Sequence, residues 1–203
     1  MDDAGAGGSI QHEAVEATPA EPDGLLVVQG GGDGFRARLV STRALTQGTV
    51  VAGIERYSLM GTASYRSVQV AEDRHVEDIG VLAYLNHSCA PNVAIDVERM
   101  VVRALRPIVA GDELTFFYPS TEWDMAQPFQ CWCGAAGCLG RVAGARHIPR
   151  DGLARHVVAP HVARLAGLPP FPSPSGRVRD KGSTGAGVDV LPLPDPPPLG
   201  EGG

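Results

Sequence analysis

The sequence predicts a mainly β fold of short strands with few helices. Three observations carry this expectation. Apolar, β-branched runs recur between turn signals, stretches with a helical period are scarce, and proline and glycine are too plentiful for one compact domain, at 17 and 26 in 203 residues. The surplus of both lies near the termini, which leaves a middle segment composed like an ordinary core.

The elements follow in chain order. Residues 1–24 carry six acids, no lysine or arginine and no aromatic residue, so this stretch is expected to be disordered. "LLVVQ" (25–29) reads as a strand leading into the turn "GGGDG". "FRARLV", "GTVVAGI" and "SVQVA" read as further strands. "HVEDIGVLAYLN" (75–86) sets Ile79, Leu82 and Leu85 at helical spacing and predicts a helix. "VAIDV" and "MVVRAL" form a hairpin about Glu98-Arg99, and Ala110-Gly111-Asp112 turns the chain into a strand over 113–118. "STEWDMAQ" predicts a helix capped by Ser120 or Thr121 and stopped at Pro128. "RDGLARHVVAPHVARLAG" (150–167) predicts a helix kinked at Pro160. Residues 169–203 hold nine prolines, seven glycines and one aromatic, Phe171, and are expected to be a disordered tail. Short strands at this spacing argue for an irregular β architecture and against a βαβ sheet.

Charge narrows the partners. The net −6 resides in residues 1–24, while 25–168 are near neutral with 14 basic and 13 acidic residues. No clustered basic footprint is visible, which argues against direct nucleic-acid contact. The N-terminal segment has neither a basic nor an apolar signal region, and no apolar run approaches a membrane span of roughly 18 residues. An intracellular protein without membrane association is expected, in the nucleus or the cytoplasm.

Three of the four cysteines stand in "QCWCGAAGC", spaced Cys131-x-Cys133-x4-Cys138. In a reducing compartment this pattern favours a metal over a disulfide. Three thiolates are one short of a tetrahedral zinc site, and Cys89 in "YLNHSCAPN" supplies a fourth. His87 is a conceivable ligand but would be a fifth, and Cys89 as a small buried apolar residue is the plainer alternative.

These segments resemble a known family. "NHSCAPN" (86–92) looks like the first signature of SET-domain protein lysine methyltransferases, and "GDELTFFY" (111–118) resembles the second. The cysteine cluster is similar to the family's post-SET motif, whose three cysteines share one zinc with the cysteine of the first signature. "FYPSTEWDMAQPF" further resembles small stand-alone members. The resemblance implies the SET-domain, β-clip-like fold with a zinc-bound C-terminal flap. Its implied organisation is a SET domain over 25–120, a post-SET flap over 121–146 and a C-terminal helical segment over 147–168.

The resemblance also implies chemistry. The family transfers methyl groups from S-adenosylmethionine to a lysine amine held in a narrow channel. Tyr118 takes the place of the central catalytic tyrosine, where a neighbouring sulfonium would favour phenolate character. Tyr65 is the candidate for the tyrosine lining the channel, with Tyr57 competing. Asn86, His87, Gly32, Gly34, Phe35 and Leu139 are the implied cofactor contacts, and Cys89, Cys131, Cys133 and Cys138 the implied zinc ligands. Phe116 occupies the position that sets product multiplicity, and a phenylalanine there implies more than one methyl transferred. The implied partner is a protein substrate bearing a lysine, a basic histone tail among the candidates. Two departures stand out: no cysteine-rich segment precedes the domain, and Phe117 replaces a common aspartate. The rivals are a non-catalytic SET-like peptide-binding module with a structural zinc, and a methyltransferase acting on a non-protein amine.

Overall fold

A computed structural model of the chain describes residues 19–20, 24–28 and 37–169. Thirteen short strands are named among the described residues: β1 (Pro19–Ala20), β2 (Leu25–Val28), β3 (Arg38–Ser41), β4 (Val50–Gly53), β5 (Ser58–Met60), β6 (Val68–Ala71), β7 (Arg74–Glu77), β8 (Asn86–His87), β9 (Val93–Asp96), β10 (Val101–Ala104), β11 (Thr115–Phe116), β12 (Phe129–Gln130) and β13 (Arg141–Val142). Helix is confined to α1 (Arg150–Leu153), α2 (Pro160–Leu165) and three short 3-10 turns. The mainly β expectation holds.

The strands form small sheets in the orders β1-β2-β3, β4-β10-β9 and β5-β7-β6, with the pairs β11-β8 and β12-β13. Bridges Val40–Glu113 and Leu45–Ile108 tie the second signature back to β3 and the segment after it. Leu39, Val76, Val93, Val102, Ile108 and Leu114 are almost wholly buried and join one apolar core. The Glu98-Arg99 turn forms as expected, its N–H groups donating to Asp96 Oδ1 at 3.2 and 3.0 Å.

Four expectations need correction. Residues 75–86 are not one α-helix: β7 runs to Glu77, Asp78 and Gly80 take positive φ, and a 3-10 turn spans Gly80–Tyr84. The spacing that suggested a helix is i, i+3, i+6, and three residues per turn put Ile79, Leu82 and Leu85 on one buried face. "STEWDMAQ" forms no helix, because the Met125 N–H donates to the Ala143 carbonyl at 3.0 Å across the flap, not to its own preceding turn. The strand over 113–118 is shorter than expected: Glu113 makes an isolated bridge to Val40, the strand itself is Thr115–Phe116, and Tyr118 opens a 3-10 turn. Segment 150–167 is two helices, not one kinked helix. Ala159 before Pro160 is extended and its N–H donates to the Ser120 carbonyl at 2.8 Å, while Pro160 takes the first helical position, where no N–H is needed.

The expected disorder of 1–24 meets a short strand at Pro19–Ala20, paired with Leu26 and Leu25. The rest of residues 1–23 and all of 170–203 lie outside the described residues. No helix among the described residues is long and apolar enough to cross a membrane.

Candidate active site and cysteine cluster

The parallel pair β8–β11 builds the centre of the site. Thr115 stands opposite Asn86 and Phe116 opposite His87. Asn92 clamps the pair: its amide donates to the Glu113 carbonyl and its oxygen accepts from the Thr115 N–H, both at 2.8 Å. Two motifs far apart in sequence thus become adjacent strands.

Tyr118 follows directly. Its hydroxyl donates to the Leu85 carbonyl at 2.9 Å, and its ring lies 4.7 Å from Phe116 and edge-on to His87 at 5.3 Å. Burial, reinforced by the charges of Glu122 and Glu113, pushes the phenol up to about 12. The protein by itself therefore keeps Tyr118 protonated, because burial and neighbouring acids both disfavour a negative oxygen; phenolate character is expected only beside a sulfonium.

Tyr65, Phe116 and Tyr118 line one cleft of about 290 Å³, together with Leu82, Leu85 and Glu122. Tyr65 stands at the rim, 72% exposed. Tyr57 packs against the apolar core instead, so of the two competing tyrosines only Tyr65 reaches the cleft.

Both Asn86 amide hydrogens are committed, to the Ala37 carbonyl at 3.0 Å and to Glu113 Oε1 at 2.9 Å. Its oxygen is the part left to accept from a ligand. The His87 ring is turned inward among Phe117, Tyr118 and Phe129. Its Nδ1 accepts from the Tyr118 N–H at 3.2 Å, which leaves Nε2 to carry the proton and donate to Cys89 Sγ at 3.2 Å. Burial, with His156 nearby, lowers His87 to about 4, so the imidazole is neutral. Gly32, Gly34 and Phe35 lie outside the described residues.

The sulfurs of Cys89, Cys131, Cys133 and Cys138 lie within 4.8 Å of one another. Ligands about 2.3 Å from a common zinc stand about 3.8 Å from one another, within that bound, so the donor set fits a tetrahedral metal. Backbone N–H groups already face the sulfurs: Cys89 N–H toward Cys133 Sγ at 3.5 Å and Leu139 N–H toward Cys89 Sγ at 3.4 Å. Such donors stabilise thiolates in a metal site. Leu139 is thereby held beside the loop that follows β8. The flap's own ladder is only β12 with β13.

Two features escaped the sequence reading. Phe117 stacks on His156 from the C-terminal segment, with centroids 3.8 Å apart and planes 7° from parallel. Glu122 is 7% exposed yet lines the cleft. Its Oε1 accepts from the Gln69 N–H at 2.7 Å and the Thr121 hydroxyl at 3.2 Å. Burial outweighs these two bonds and raises the carboxyl from 4.5 to about 7. The available signal was an acid four residues after a candidate catalytic tyrosine, which was instead assigned to a helix.

The chain is similar to several known proteins. The SET domain family model matches residues 36–119. Methyltransferase flvH of Aspergillus flavus is 40% identical over 149 residues, covering 72% of this chain and 83% of that protein. The H3 lysine-4 specific histone-lysine N-methyltransferase of Emericella nidulans is 34% identical over 95 residues, which cover 42% of this chain and 8% of that protein. Among solved structures, the methyltransferase domain of human histone-lysine N-methyltransferase SETMAR aligns with a TM-score of 0.45 at 17% identity, covering 59% of this chain and 58% of that one. The chain belongs to the SET-domain methyltransferase family. Its four cysteines form a cluster that could hold zinc.

Proposed function

We propose that this chain is an S-adenosylmethionine-dependent protein lysine N-methyltransferase. The observation that carries the reading is the shared cleft: Tyr118, Phe116 and Tyr65 converge beside the strand that bears Asn86. S-adenosylmethionine supplies a methyl group on a positively charged sulfur. Asn86 Oδ1, its amide hydrogens already committed, would accept from the ammonium of that cofactor's amino-acid end, and Leu139 and the His87 backbone would flank it. Cys89, Cys131, Cys133 and Cys138 would hold one zinc and fasten the flap beside them.

The rest of the task falls to the chain's own residues. A lysine amine has a free pKa near 10.4 and must be neutral to attack. An apolar channel lowers that value by desolvation, and aromatic walls hold the alkyl stem in line. Tyr118, a neutral phenol bonded to the Leu85 carbonyl, presents its oxygen lone pairs to the amine. Phe116 offers no hydroxyl to retain water against a methylated nitrogen, which supports transfer of more than one methyl.

A small non-protein amine is the second reading. The relative matched over 83% of its length is named a methyltransferase without a substrate, whereas the histone enzyme is matched over 8% of its own. Calorimetric titration of S-adenosylmethionine into zinc-loaded protein tests the shared core of both. Micromolar binding is expected, with loss of at least tenfold in Asn86→Ala; an unaltered affinity in that variant would remove Asn86 from the site. Methyl transfer to a lysine-bearing peptide against transfer to n-butylamine then separates the two substrates.

A further inference from the structure

Glu122 is a buried acid that none of these roles uses. It is fixed from several sides. Its backbone carbonyl accepts from the Ala145 N–H at 2.8 Å, and its own N–H donates to the Tyr118 carbonyl at 3.0 Å. Gly144, at φ 111°, lets the chain pass so close to Trp123 that a Cβ would lie 2.6 Å from the Trp123 carbonyl oxygen. The two bonds to the carboxylate both fall on Oε1, and no hydrogen bond engages Oε2 among the described residues. Glu122 lines the cleft, so Oε2 is the carboxylate oxygen left to meet a cation there.

We propose that Glu122 receives the substrate's ammonium in the cleft and takes its proton. This rests on the methyltransferase reading and adds the group that makes the amine nucleophilic. One proton passes from the ammonium to Glu122 Oε2, which frees the nitrogen lone pair. That pair forms the new N–C bond, and the electrons of the old S–C bond leave with sulfur. The product is a methylammonium and a neutral thioether. The protonated Glu122 then releases its proton to water through the open side of the cleft, and a second methylation repeats the cycle.

The surroundings suit this exchange. A carboxyl raised to about 7 is close enough to neutrality to give and take a proton at physiological pH. Tyr118, protonated with its value near 12, and Arg66 at the exposed rim line the same cleft, and two histidines lie on neighbouring elements. His161 on α2 bonds the Thr121 carbonyl at 2.8 Å, and His75 lies on β7. Burial lowers both below 6.5, so neither carries charge above pH 7. Glu113 also acts on Tyr118.

The test uses full-length, zinc-loaded protein labelled with carboxyl-carbon-13 glutamate, titrated with n-butylamine by NMR. One carboxyl resonance, absent in Glu122→Gln, should titrate near pH 7 and move when the amine is added. No such movement would overturn the proposal, whatever the enzyme's activity. In the transfer assay, Glu122→Gln should lower kcat/KM about 100-fold at pH 7 and recover toward pH 9, where more amine is already neutral. A pH profile of unchanged shape would overturn the base role. Amine-induced movement without any methyl transfer in the wild type would count against the methyltransferase reading and leave the carboxylate's amine site standing. The folded state binds the extra proton between pH 4.5 and about 7, so the wild type loses stability as pH rises through that window. Glu122→Gln should therefore melt no lower than wild type at pH 8, which separates a chemical loss from an unfolded variant.

Discussion

The cysteine flap and the C-terminal segment both meet the chain around β8 and β11, and they are held by opposite means. The C-terminal segment is fastened by burial: Leu153, Val158, Val162 and Ala163 enter the main core, and His156 lies flat on Phe117. The flap has little to bury. The fully buried members of its apolar cluster are Cys89, Cys131 and Val142, with Met125 and Phe129 partly buried against them, Trp132 left 86% exposed and a two-residue ladder alongside. Four thiols stand where aliphatic side chains would otherwise be needed. One attachment is continuous and solvent-driven; the other is a cluster of four thiols that could act as a point clasp by holding a metal.

That contrast can be broken in stages. The largest effect is expected from Cys131→Ser, or from chelating the metal. Bound zinc should fall from one per chain to none and methyl transfer by more than 100-fold, while thermal unfolding of the core shifts little. Retained activity after proven metal loss would mean the flap is not closed by the clasp. Next in size, Leu153→Ala should cost about 2–5 kcal/mol in chemical denaturation, with zinc content unchanged. A loss of metal together with stability would show that the two attachments are not independent. The smallest change is expected from His156→Ala, at about 0.5–1.5 kcal/mol for the lost stack on Phe117. Pairing it with Phe117→Leu in a double-mutant cycle should recover that same energy as coupling; additive effects would mean the stack contributes nothing.

Much of the core was legible because its signals are local. β-Branched runs became strands at "LLVV", "RLVS", "VVAG", "VQVA", "VAID" and "VVRA". The cysteine spacing pointed to a four-sulfur cluster, which the fold assembles from two segments. Helix assignments failed where backbone donors found distant partners: Met125 with Ala143, and Ala159 with Ser120. No window of neighbouring residues carries that information. Tyr65 and Tyr57 could not be separated by sequence either, since only the packing of β5, β6 and β7 decides which one meets the cleft.

Residue identity determined the chemical inventory by itself: four thiols, an Asn-His motif, a separate motif ending in a tyrosine, and a run of strands too short to build anything but small sheets. Side-chain chemistry and local conformational preference belong to each residue wherever it lies. What only the tertiary structure decided is environment. Glu122 reads as a solvated helix acid in sequence. It becomes a carboxyl near neutrality because folding buries it; the Gln69 N–H, on a strand 53 residues earlier, bonds its Oε1 and only partly offsets that burial. Tyr118 holds its proton for the same reason. Desolvation is a property of what surrounds a group, and those surroundings exist only once the chain has folded.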